Sequence, residues 1–146
     1  MKFRLQRVLD LRSAQEKIAQ QELADRKQDY EMVLGRIDGL LEDEKTLFGF
    51  IKQQNEPGID LLRLKHLCTY SDDLKNELVM QEVKRQKSLR LVEQQQNAVR
   101  ECWQKRRMLE ILQSKAAAAF MDLLKKEEQK QIDELVLFSF TEKKEQ

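Results

Sequence analysis

The chain has 146 residues, 36% of them charged and 6% aromatic, with four glycines, one proline and a net charge of +1. So much charge with so little aromatic residue, glycine and proline argues against a globular domain with a sizeable core and for long helices. The balanced charge disfavours a nucleic-acid-binding rod, and the longest apolar run, Ala116 to Met121, is far short of the roughly 20 residues a membrane span needs.

An all-α fold is expected: a long two-helix antiparallel coiled-coil hairpin with unequal arms and an overhanging C-terminal helix, forming one domain. The first helix should cover about 3–54, the turn 55–59, the second helix about 60–138, and a short tail 139–146. The N-terminus, MKFRLQRVLD, alternates charge with apolar residues and does not read as a leader, so the chain is expected to be soluble and unprocessed.

On the first arm, apolar residues follow a 4-3 spacing at Ala19, Leu23, Tyr30, Val33, Ile37, Leu40, Leu47 and Ile51, interrupted by Arg26 and Glu44. That spacing is the seam of a coiled coil. Upstream, Leu5 and Leu9 continue the seam while Val8, Leu11, Ala14 and Ile18 fall beside it. The first turns therefore carry either a second apolar stripe or a stutter that shifts the packing face. Gly35, Gly39 and Gly49 fall on the outer face, where each costs about 1 kcal/mol relative to alanine. They are either local softness that the seam tolerates or a place where a partner backbone comes close.

The segment QQNEPGID, Gln53 to Asp60, reverses the chain. Pro57 has no N–H and pushes Glu56 out of the helical region, Gly58 accepts a positive φ, and Asp60 can cap the next helix. Folding about Pro57 places residue i opposite roughly residue 114 − i.

The second arm carries its seam at Leu64, Leu67, Leu74, Leu78, Val92, Val99, Cys102, Leu109, Ala116, Phe120 and Leu123, with Ser71, Gln81, Arg85, Ser88, Gln95, Arg106 and Gln113 at the remaining positions. Polar seam residues restrict register at a cost in stability. By the hairpin arithmetic Phe3 faces Ile111, which leaves Leu112 to Gln146 without an intramolecular partner. That overhang includes AAAAFMDLL and IDELVLFSF, and an exposed apolar stripe usually marks an interaction site. A fold-back of the tail as a third helix and homodimerisation through it are the alternatives.

Lys2, Arg4, Arg7 and Arg12 come level with Arg100, Lys105, Arg106 and Arg107, collecting positive charge at the open end, while Glu42, Asp43 and Glu44 come level with Asp72 and Asp73 near the turn. Like charges do not help the hairpin close, so a partner is one account of them and solvated faces at separate azimuths the other. Cys68 and Cys102 lie 34 residues apart on one predicted helix, about 50 Å at helical rise, too far to bridge within a chain. Free thiols fit a reducing compartment.

No catalytic, cofactor or metal motif is present: there is no glycine-rich phosphate loop, no Cys-x-x-Cys and no HExxH. The single histidine, His66, is expected on the outer face. Trp103 flanks the seam, where it seals the coil more readily than it binds a ligand.

The stretch FRLQRVLDLRSAQEKIAQQELA, Phe3 to Ala24, and the stretch from Trp103 through KKEEQKQIDELVLFSF, Lys125 to Phe140, resemble the bacterial flagellar FliJ family. The length, the central turn and the unequal arms fit as well. The resemblance implies a non-enzymatic stalk of the flagellar type III export apparatus, working in the cytoplasm against the inner face of the inner membrane. Its implied partners are the hexameric export ATPase and the export-gate membrane protein, with export substrates or their chaperones as further possibilities, and without nucleic acid, cofactor or membrane insertion. In that picture Arg4, Arg7, Arg106 and Arg107 form an electrostatic collar for the ATPase, and Ile132, Leu135, Val136 and Phe138 form a plug in its ring. By position near the turn, Leu41, Phe48, Tyr70 and Leu74 would contact the gate. A free chaperone for export substrates and a generic homodimeric scaffold remain the competing readings.

Overall fold

The computed structural model describes residues 3–53 and 60–145, and those residues form an all-α two-helix hairpin with no strand. Helix α1 runs Gln6–Gln53 and α2 runs Leu61–Glu145. The turn expected at Pro57 and Gly58 lies outside the described residues.

The helix ends follow from local chemistry. Asp60 caps α2: its Oδ1 accepts from the Leu62 N–H at 3.2 Å, and its carbonyl accepts from the Leu64 N–H at 3.1 Å. α1 starts later than expected, because Phe3 to Leu5 form a turn that the Gln6 N–H closes onto the Phe3 carbonyl at 3.0 Å. α2 ends later, running past Phe138 to Glu145. Nothing in SFTEKKE breaks a helix, the Thr141 hydroxyl donates back to the Leu137 carbonyl at 2.8 Å, and Lys143 and Lys144 suit the negative end of the dipole.

The hairpin divides into two compact units. One is the turn-proximal unit, Lys17–Arg100. Its core is Leu40, Leu47 and Leu74, with Ile51, Leu67 and Leu78 packed against them, and Ala19 and Val92 are buried farther along. These are the expected seam residues, and of the ten expected on α1 only Arg26 is exposed. Two helices leave one side of each seam residue near water, so no described side chain is completely buried. Polar seam positions find partners: Gln81 donates to Glu77 at 3.0 Å, and Gln95 reaches the Ala19 carbonyl at 3.1 Å across the small side chain there.

The other is the open-end unit, Met1–Glu16 with Glu101–Gln146. Here α1 reaches farther along α2 than uniform helical rise predicts. Gln113 donates to Gln6 Oε1 at 2.9 Å, and Phe3 shares a cleft with Ala117, Phe120 and Met121 instead of lying level with Ile111. Two effects cause the difference. At Phe3, the non-helical chain Phe3–Leu5 advances up to about 3.3 Å per residue against 1.5 Å in a helix, which carries Phe3 outward but leaves Gln6, inside α1, unaffected. Side chains also lean toward the N-terminus of their own helix, so contacting residues in an antiparallel pair lie farther out in sequence than their backbone levels. The unpartnered segment therefore begins after Met121, not at Leu112, and because α2 is unbroken it does not fold back as a third helix.

Gly35 and Gly39 lie on the exposed face, and a Cβ at either would meet nothing within 4 Å. Gly35→Ala and Gly39→Ala are each expected to raise stability by about 1 kcal/mol, read as a higher urea midpoint with an unchanged slope. Cys68 is exposed, Cys102 is half-buried on the seam, and both are free thiols.

Candidate functional site

Near the turn, the last turns of α1 bring Asp43, Thr46, Leu47 and Phe50 against Tyr70 of α2, and these five residues line one open cleft. The Arg63 guanidinium lies over the Phe50 ring, 5.7 Å from its centroid, where the ring's negative face attracts a cation. Of the residues expected to contact the gate, only Tyr70 lines this cleft. Leu41 and Phe48 are exposed and stand seven residues apart on one ridge of α1. Phe48 and Phe50 are two residues apart, about 200° around the helix, so Leu41 and Phe48 occupy a different flank from the cleft. Leu74 is in the core between the flanks, 6% exposed. The four thus do not form one patch, and a seam leucine can act on a partner only by supporting the surface above it. Phe50 and Arg63 were not singled out in the sequence; the signal for Phe50 was an aromatic residue one place before the seam position Ile51.

In the open-end unit the seam turns polar. Glu16, buried at 7% exposure, accepts a hydrogen bond from Arg106, which also donates to Glu110; Arg107 donates to the same Glu110 carboxylate at 3.3 Å. The Glu16 hydrogen bond chiefly raises the Arg106 pKa, against the opposing effect of desolvation. At Glu110, desolvation pushes the carboxyl up, but the hydrogen bonds and charges of Arg106 and Arg107 together hold it below its usual value. A depressed carboxyl contributes stability that is complete above the unfolded-state pKa and is lost as acid titrates through the lower folded value.

Arg106 is therefore occupied within the hairpin, Arg107 is half-engaged with Glu110, and Arg4 and Arg7 are exposed. The positive charge foreseen at this end is partly neutralised from within. Its sequence signal was present: Glu16 falls at a seam position seven residues from both Leu9 and Leu23, where only a seam cation could match it. Glu16→Ala is expected to lower the melting temperature more than Glu82→Gln, which breaks only the exposed intrahelical pair with Arg85. Replacing both partners, Glu16→Leu with Arg106→Leu, should recover the loss, because an apolar pair leaves no buried charge unmatched.

Beyond Met121 the surface is continuous. Every residue from Ala117 to Lys144 is exposed, including Ile132, Leu135, Val136 and Phe138, and an open groove is lined by Gln131, Glu134, Leu135 and Phe138. Trp103 is 48% exposed and does not close the seam. Among the described residues no group of His, Cys, Asp and Glu could hold a metal ion, and no helix is long and apolar enough to cross a membrane.

Fold and surface together define a helical-hairpin protein whose prominent features are unpartnered apolar faces. A family profile described as the flagellar FliJ protein matches residues 1–145, and the chain belongs to that family. No curated protein and no solved structure matches it. The family is a non-catalytic flagellar component, which places this chain in a role related to flagellar export.

Proposed function

We propose that this chain is a coupling stalk of the flagellar export apparatus, seated in the ring of the hexameric export ATPase by its open-end unit and reaching the export-gate membrane protein through its turn-proximal unit. The observation that carries the reading is the helix beyond Met121, whose exposed apolar residues have no partner in the chain. In this reading Ile132, Leu135, Val136 and Phe138 form the plug, and Arg4, Arg7 and Arg107 the collar. Arg106 holds α1 against α2 beneath the collar. The gate surface is either the Tyr70 cleft or the Leu41 and Phe48 ridge, with Leu74 supporting both from the core. The protein then works in the cytoplasm at the inner face of the membrane, without entering it and without a cofactor.

The test is the rate of the purified export ATPase with and without this chain. Arg4→Glu with Arg7→Glu is expected to weaken binding roughly tenfold at low salt, with the deficit shrinking as salt rises, because exposed charges are screened beyond about 8–10 Å. A deficit that ignores salt would remove the collar from the reading. Tail-dependent binding of export substrates or their chaperones, with no effect on the ATPase, would favour an escort instead of a stalk.

A further inference from the structure

Away from the seam, α1 carries a second stripe on its outer face. Arg7, Leu11, Ala14, Ile18, Glu22 and Asp25 recur every three or four residues, so they share one side of the unbroken helix Gln6–Gln53, and all six are exposed. Leu11 and Ile18 stand two residues beyond the seam positions Leu9 and Glu16, about 200° around α1, so α2 does not cover them; they are 54% and 61% exposed. Arg4, in the turn that opens α1, lies one step before Arg7.

The charges along this stripe are sorted. Arg4 and Arg7 stand at its N-terminal end, Glu22 and Asp25 at its C-terminal end, and the apolar residues lie between. Among the described residues none of the four forms an ion pair within the chain. Asp10 and Lys17 border the face, and they too are of opposite sign on either side of its middle.

That order makes the face complementary to itself. When a second α1 lies antiparallel to the first, with the two-fold axis between Ala14 and Gln15, residue i comes level with residue 29 − i of the other copy. Arg7 is then level with Glu22, Leu11 with Ile18, Ala14 with Gln15, and Arg4 with Asp25. Each pairing occurs twice, and the small Ala14 side chain beside the axis permits close approach.

We infer that two copies of this chain dimerise back to back through the outer face of α1, antiparallel about Ala14 and Gln15. Leu11 and Ile18 supply the apolar contact, and the sorted charges fix the orientation, because a parallel pair would set like charges against like. The contact runs about 30 Å along the helix at 1.5 Å per residue, and its exposed charges make it weaken as salt rises. The hairpin seam is untouched. In the dimer Arg4 and Arg7 are covered, so a partner that uses them competes with the second copy.

The test reads the solution mass of the purified full chain by sedimentation, at low salt and over a concentration series. Wild type is expected to reach twice the mass of one chain. Arg4→Glu with Arg7→Glu, and Glu22→Lys with Asp25→Lys, are each expected to stay at the mass of one chain with helical circular dichroism retained, because both charged pairings then set like against like. The chain carrying all four substitutions restores opposite pairs and should recover the doubled mass. Wild type at the mass of one chain throughout the series overturns the inference, as does a dimer that survives either pair of reversals, or a fourfold variant that stays monomeric while it keeps its helicity. The readout involves no ATPase, so its failure is distinct from failure of the export role.

Discussion

Leu40→Asp or Leu74→Asp is expected to destroy most of the helical signal at moderate temperature. Both leucines belong to a cluster in which three buried residues meet, and each is about 95% removed from water. Fully burying a leucine side chain contributes roughly 2–3 kcal/mol, and the substitution forfeits this. It also places a carboxylate among the apolar side chains of Leu47, Leu67 and Leu78, at a cost of several kcal/mol more. The combined loss rivals the total stability of a small domain, about 5–15 kcal/mol. Aspartate at Gly35 or Gly39 meets open space and should lower the melting temperature only slightly. Equal melting of the two sets, measured by circular dichroism, would show that the seam is not what holds α1 to α2.

The second large effect separates folding from function. Truncation after Met121 should leave the melting temperature close to that of the intact chain. The residues removed are exposed from Asp122 to Lys144, while the Gln6–Gln113 pair, the Glu16–Arg106 pair and the cleft around Phe3 are retained. The same truncation should abolish stimulation of the export ATPase, because it removes Ile132, Leu135, Val136 and Phe138 together. Substituting Phe48 and Tyr70 should spare the ATPase and impair gate binding, and testing them singly tells which flank the gate uses. Untouched ATPase binding in the truncated chain, with loss in the turn-proximal variants, would reverse the assignment of the two ends.

Most of the architecture was legible because a coiled coil writes its contacts at fixed spacing. The seam from Ala19 to Ile51 and from Leu67 to Ala116 follows from the 4-3 repeat alone, and the Asp60 cap from one residue type before an apolar run. The second apolar stripe suspected in the first turns is present, since Val8, Leu11 and Ile18 are exposed beside a seam that runs through Leu9, Glu16 and Ala19. Tail exposure was legible too, because helix lengths can be subtracted. How far α1 reaches was less so, since the arithmetic assumed helical rise through Phe3–Leu5 and ignored the lean of the side chains.

What the sequence alone determined, then, was the two helices, the seam between them and the inequality of the arms, because backbone periodicity sets all three locally. Tertiary structure decided which charges are spent and which surfaces coincide. Arg106 and Arg107 are alike and adjacent in sequence, yet one is paired with Glu16 in the seam and the other projects toward solvent, since 100° of helix rotation separates them. Leu74 and Tyr70 are four residues apart, yet one is core and the other lines a cleft with Phe50, because α1 covers one azimuth of α2 and leaves the next open. Those distinctions depend on the azimuth at which the second helix packs, and that is fixed only when the two arms meet.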